Sequence, residues 1–205
     1  MSLIAVGVTG GIGAYKAVEI VRRLQDNGHD VVVTMTANAR RFVGPLTFEA
    51  ITRRPVVTDQ FAPGANATIE HVALATDIRA LLVAPATANI IGKLANGIAD
   101  DFLTSLYLVT RAPVVLAPAM NTNMYEHAAV AANLAALEAR GAHVVAPGEG
   151  YLACGWTGPG RLPPPDGVVA PAAPPLPRRA RPPPPRSNGC RRNAPGPGPR
   201  RSARR

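Results

Sequence analysis

The opening of the chain constrains its fold more than any other segment. Leu3 to Val8 is a short, almost wholly apolar run that ends in Gly10-Gly11-Ile12-Gly13. Such a run is too short for a buried helix and suits a parallel strand covered on both faces. From Ala14 to Asn27, the residues Ala17, Ile20, Val21 and Leu24 recur at i, i+3, i+4 and i+7, which places them on one face of a helix, and Gly28 ends it. Strand, glycine turn and helix in that order form the first unit of an open α/β sheet.

The alternation continues. Asp30 to Thr34 reads as a second strand, and Ala80 to Ala84 and Val114 to Ala117 read as further buried strands. Asn89 to Val109 has helical character with an interruption near Gly97. Glu126 to Arg140 is an Ala-rich helix stopped by Gly141, and His143 to Ala146 is a last strand. The expected fold is α/β, a Rossmann-like or flavodoxin-like open, mostly parallel sheet with helices on both faces. It fills residues 1–161 as one domain without internal repeats.

The net charge of +9 does not belong to that domain. Up to Arg161, twelve basic residues balance twelve acidic ones, whereas Leu162 to Arg205 holds ten Arg and one acid, Asp166. The same segment contains 14 of the 22 prolines, a composition that cannot bury enough apolar surface to offset the entropy of ordering. Residues 162–205 are therefore expected to be a disordered tail. Out-of-frame reading of a GC-rich gene would produce this composition, so a frameshift or truncation is the expectation it raises. A nucleic-acid-binding role is disfavoured, because the tail has no Lys and no aromatic residue for stacking. No apolar run is long enough to span a bilayer, and the start lacks a basic leader. Cys154 and Cys190 cannot form a disulfide framework, and the His and Cys residues lack metal-ligand spacing, so no metal and a reducing, cytoplasmic setting are expected.

In open α/β sheets, ligands bind beyond the carboxyl ends of the strands. The unusual residues lie there: Thr9 to Gly13, Thr34-Met35-Thr36, Pro85 to Asn89 and Pro118 to Asn121. Gly11-Ile12-Gly13-Ala14-Tyr15-Lys16 has Lys where a dinucleotide fingerprint requires its third Gly, and no acid ends the second strand, so NAD is disfavoured. No Gly-Lys-Ser/Thr follows to make a P-loop. What remains suits a single phosphate at a helix N-terminus, as in a mononucleotide such as FMN, with the hydroxyls of Thr34, Thr36 and Thr87 nearby. Tight packing of strand against helix explains the glycines of this loop equally well.

Four segments in order, Pro85-Ala86-Thr87-Ala88-Asn89, Gly97-Ile98-Ala99-Asp100-Asp101, Pro118 to Met124 and Ala153 to Arg161, resemble the motifs of the FMN-dependent cysteine decarboxylases. The Ile69-Glu70-His71-Val72 segment fits in register with them. The resemblance implies FMN, held by Gly10, Gly11, Ile12, Thr36, Ala86, Thr87, Ala88, Asn89 and Ala119. It further implies decarboxylation of phosphopantothenoylcysteine to phosphopantetheine in coenzyme A biosynthesis. His71 matches the family's proton acceptor, Asn121 the amide that holds the substrate carboxylate, Met124 a substrate contact, and Cys154 the proton donor in a Gly-rich lid. Read without the resemblance, His71 is a structural histidine at a strand edge, Cys154 an inert buried thiol, and Asn-Thr-Asn a helix cap better suited to Asn123 than to Asn121. His29, His127 and His143 are structural, and Lys16, Lys93 and Arg161 are surface or phosphate-facing charges. By the same resemblance the chain assembles as homo-trimers or multiples of trimers, with Asn89 to Asp101 at an interface. The alternatives are a flavin prenyltransferase, a peptidyl-cysteine decarboxylase and a non-catalytic regulatory flavoprotein subunit. The short helix that follows Arg161 in the family is not expected here.

Overall fold

A computed structural model describes residues 2–61, 70–153 and 155–172. β1 (Leu3–Val8) runs through the interior, with every residue from Ile4 to Val8 buried. The glycine turn then passes through a 3₁₀ turn (Ile12–Lys16) into α1 (Ala17–Asp26), so only the later part of the expected helix is α-helical. Ala17, Ile20, Val21 and Leu24 are all fully buried, as their spacing requires.

The remaining elements are β2 (Asp30–Met35), α2 (Pro45–Thr52), α3 (Glu70–Asp77), β3 (Ile78–Ala86), α4 (Ala88–Asn96), α5 (Phe102–Val109) and β4 (Val114–Pro118). They are followed by α6 (Thr122–Glu126), α7 (Ala128–Ala139), β5 (His143–Val144), β6 (Gly148–Tyr151), β7 (Thr157–Arg161) and α8 (Pro165–Ala172). Five strands form one parallel sheet in the order β2-β1-β3-β4-β5, and β6 and β7 make a separate antiparallel hairpin. The expected open sheet with helices on both faces is thus present. The order reverses direction between β1 and β3, and the loops leaving those two strands part to open a crevice.

Strand alternation builds a core on each face. Ile4, Val6, Val8, Leu82 and Val115 pack with α1 and α8, while Ala5, Leu81, Val83 and Leu116 pack with α4, α5 and α7. Each fully buried Leu or Ile contributes about 1.5–3 kcal/mol.

Several expectations are corrected. β2 runs on to Met35 through a bond from the Met35 amide to the Val57 carbonyl, so Thr34 stays inside the strand. The helix expected from Asn89 to Val109 breaks at Gly97, whose φ of 68° ends α4, and Asp101 then starts α5. The helix expected from Glu126 is split at His127, whose Nδ1 accepts from the Ala129 amide at 3.1 Å and caps α7. His71 lies on α3, where its ring meets Phe102 edge-on with centroids 6.3 Å apart, and not at a strand edge. A helix does follow Arg161: α8 buries Val168, Val169 and Ala172, and Arg23 pairs with Asp166 at 3.0 Å. The packed unit therefore continues past residue 161 to Ala172. The rest of the expected tail, 173–205, and Cys154 lie outside the described residues. Among the described residues, no helix is long and apolar enough to cross a membrane.

Candidate active site

The loops leaving β1, β2, β3 and β4 and the β6–β7 hairpin enclose a cleft of about 610 Å³ at the carboxyl edge of the sheet. A cleft of that size accommodates a mononucleotide or a ligand of similar bulk. Its floor is fixed by Thr9, which is buried and donates its hydroxyl to the Pro85 carbonyl at 2.6 Å. The Thr87 amide donates to the Thr9 oxygen at 3.3 Å, so the turns after β1 and β3 are fastened to each other. Gly10 is required by close approach: a Cβ there would overlap the side chain of Asn38 and come within 2.9 Å of its main-chain carbon. The loop after β2 can therefore close down on the first turn.

Three helices start at this rim. Thr87 caps α4 by accepting from the Ile90 amide at 3.4 Å, Asp101 caps α5, and Asn121 caps α6. Asp101 forms a full capping box with Thr104, accepting from its amide at 2.8 Å while Thr104 Oγ1 accepts from the Asp101 amide at 3.0 Å. With the start of the 3₁₀ turn, these helix ends direct main-chain N–H groups and positive partial charge toward the cleft. Lys16, Lys93 and Arg161 also line it, and Lys93 is paired with Asp100 at 2.6 Å. The electrostatics favour an anionic ligand. Among the described residues, no cluster of three or more His, Cys, Asp or Glu side chains could hold a metal ion.

Of the residues singled out in the sequence, Gly10, Gly11, Ile12, Thr36, Thr87, Ala88, Asn89, Ala119, Asn121 and Met124 line this one cleft. Ala86 is fully buried behind it, where its carbonyl accepts from the Ala119 amide at 3.1 Å. Thr34 is also buried, with its hydroxyl turned inward, and does not reach the lining. His71 is outside the lining and rests against Phe102, the residue after cleft-lining Asp101. Asn121, and not Asn123, is the helix cap: its Oδ1 accepts from the Asn123 amide at 2.9 Å. That bond fixes the plane of the amide. Tyr15, Asn38, Asp101 and Tyr151 line the cleft without having been singled out as site residues. Of these, only Asp101 carried a signal in the sequence, as the end of the Gly97-to-Asp101 motif.

A family model for flavoproteins matches residues 2–173, a span that includes every described residue. The chain belongs to the Flavoprotein family. This flavoprotein is 50% identical over 162 residues to the coenzyme A biosynthesis bifunctional protein CoaBC of Bacillus subtilis, a match covering 79% of this chain and 40% of that relative. It is 46% identical over 160 residues to the protein of that name in Mycolicibacterium smegmatis, covering 78% of this chain and 38% of the relative. The flavoprotein thus spans about two fifths of the length of the curated relatives it matches. Among solved structures, it resembles the FMN-dependent cysteine decarboxylase SpaF, with a TM-score of 0.74 and 33% identity. That match covers 84% of this chain and 95% of SpaF.

Proposed function

We propose that this flavoprotein uses FMN to decarboxylate phosphopantothenoylcysteine to phosphopantetheine, in the cytoplasm. The observation that carries this reading is the meeting, in one cleft, of groups suited to each part of that cofactor. The Gly10 and Ile12 ends of the turn after β1 and the head of α4 suit the phosphate, while the Gly11 amide is held by the Thr9 carbonyl at 3.0 Å. Thr36, Thr87 and Asn89 offer short polar side chains for the ribityl chain, and Ile12, Ala88, Ala119 and Met120 offer apolar surface for the ring. A Cβ at Gly11 would sit 3.3 Å from the Thr87 methyl, in the space a ligand would use. The likeness to the curated relatives and to SpaF supports the same reading.

When bound, the flavin would accept two electrons from the substrate's thiol side and return them to the decarboxylated product, so that no outside oxidant or reductant is consumed. A substrate cysteine oxidised to its thioaldehyde loses carbon dioxide readily, since the electron pair left behind delocalises as an enethiolate. His71 takes the thiol-side proton during that oxidation. Asn121 holds the carboxylate through its amide, which donates without a full positive charge and so does not stabilise the carboxylate against leaving. Met124 packs against the substrate, and Cys154 returns a proton to the enethiolate. His71 stands behind the rim of the cleft in the single chain, which fits assembly into homo-trimers or multiples of trimers with the site completed at a subunit contact. The experiment is direct: the purified protein should be yellow, release a cofactor with the mass of FMN, and liberate carbon dioxide from phosphopantothenoylcysteine. A colourless protein that takes up no added FMN refutes the reading.

A further inference from the structure

Leu74 and Ala75 follow His71 on α3 by three and four residues, so the three side chains share one face of that helix. The face is turned to α5, because Leu74 and Ala75 belong to the cluster that contains Phe102, Leu103 and Leu106. His71 extends this contact at the start of α3, where its ring meets that of Phe102 edge-on at 90°. Among the described residues, the imidazole has no hydrogen bond and no ion pair beside that ring contact. Its plane is therefore set by packing, and neither nitrogen is spent on holding it.

Phe102 is itself firmly placed. It is 4% exposed and is the first residue of α5, directly after Asp101. Thr104, fully buried, ties down the head of the helix: its hydroxyl accepts from the Asp101 amide at 3.0 Å and donates to Asp101 Oδ1 at 2.9 Å. Leu103 lies against Gly7 of β1, where a Cβ would overlap its methyl carbons, so α5 approaches the sheet through the bare position 7. Asp101 lines the cleft and its neighbour Phe102 meets His71. One rigid turn of helix thus links the cleft rim to the imidazole.

A proton acceptor works only when its ring nitrogen is within hydrogen-bond reach of the proton it takes, and such a base is ordinarily aimed by a third, polar group. Here the neighbour in contact is an aromatic ring. We propose that Phe102 is a positioning residue that sets the orientation of the His71 imidazole, with the Asp101–Thr104 cap fixing that orientation relative to the cleft. The catalytic consequence rests on the proposed function, whereas the orientation of the ring does not.

The test is proton NMR of the flavin-loaded protein without substrate, with the His71 ring signals assigned by their loss in His71→Asn. The unaltered protein shows a nuclear Overhauser contact between the His71 and Phe102 rings, and its absence overturns the inference whatever the variants do. In Phe102→Leu, which stays apolar but lacks the ring, the His71 signals shift toward those of a free histidine; signals that stay in place overturn the inference. The same variant loses about tenfold in kcat while KM for phosphopantothenoylcysteine and flavin content hold, since misplacing a proton acceptor slows the chemical step and not binding. Phe102→Tyr, which keeps the ring, recovers most of that loss. Leu106→Ala is the control: it weakens the same cluster without removing the ring, and leaves the His71 signals and kcat in place. An equal fall of kcat in Leu106→Ala and Phe102→Leu overturns the positioning role by showing general loosening of α5. A protein whose His71 signals respond to Phe102→Leu but which releases no carbon dioxide refutes the decarboxylase and keeps the orientation of His71 by Phe102.

Discussion

Thr9 and Pro85 are joined by a hydrogen bond of 2.6 Å between a buried hydroxyl and a main-chain carbonyl, at the point where the sheet reverses its strand order. Replacing Thr9 by Val keeps the shape but removes the donor and also the acceptor used by the Thr87 amide at 3.3 Å. Two main-chain groups then lose their partner, which costs about 1–3 kcal/mol. Thr9→Val should therefore lower the urea midpoint measurably and weaken FMN retention, because both turns that flank the crevice lose their common anchor. A variant with unchanged stability and flavin content would show that the bond contributes nothing to the site.

Gly10 offers a sharper steric test. Its missing Cβ is the space into which Asn38 fits, and an alanine there would contact main-chain as well as side-chain atoms of the loop after β2. Gly10→Ala should displace that loop, and with it Thr36, so that FMN dissociates at least about tenfold more readily. The paired variant Gly10→Ala, Asn38→Gly should recover part of the loss. Fluorescence titration of free FMN with each variant gives the answer.

α8 belongs to the core, so its burial has an energetic consequence. Val169 is 2% exposed and packs in the same cluster as α1. Val169→Ala removes buried methyl groups and should cost about 2 kcal/mol, read as a shift in denaturant midpoint with an unchanged slope. The whole of α8 lies beyond residue 161, and a chain ended there should be recovered unfolded or aggregated.

That helix marks where the sequence was least legible. Leu162 to Val169 holds three consecutive prolines and few large apolar residues, and its neighbours are Arg- and Pro-rich, so composition pointed to disorder. Only tertiary contact with α1 shows that Val168 and Val169 face a core. β1 and α1, by contrast, were readable because burial of Ala17, Ile20, Val21 and Leu24 enforces a period that survives in the residues themselves. The site was legible to the extent that it lies in loops at strand ends. Thr34 was misplaced because the strand runs one residue beyond it, which keeps Thr34 within the buried sheet and leaves Thr36 to reach the cleft. Tyr15, Asn38 and Tyr151 carry no local pattern, and come to the cleft through the packing of separate loops.

Tyr107, on α5, has its phenol pushed above the ordinary tyrosine range by burial, with Arg140 opposing the shift. The folded state therefore holds the proton more tightly than the unfolded state. Stability from this group is complete below the ordinary value of 10.0 and is lost as pH rises through the folded-state value. Tyr107→Phe should flatten that alkaline decline while leaving neutral stability little changed. Thermal melts from neutral pH to above the tyrosine range will show the two proteins diverging only at the alkaline end.

Asn121 carries two duties that one substitution separates. Its Oδ1 caps α6 by accepting from the Asn123 amide, and aspartate performs that task as well as asparagine. The other end of the amide is the donor proposed to hold the substrate carboxylate, and aspartate replaces it with an oxygen that is negative at neutral pH. Asn121→Asp should thus melt within a degree or two of the parent and keep its flavin, because the cap is intact. Decarboxylation should fall by roughly two orders of magnitude or more, since a charge-assisted hydrogen bond worth about 1.5–3 kcal/mol is exchanged for repulsion between like charges. Asn121→Ala should show the reverse balance on folding, losing about 1 kcal/mol of capping while repelling nothing. If the aspartate variant turned over substrate as fast as the parent, Asn121 would be a helix cap and no more, and the carboxylate would have to be held by another residue of the cleft.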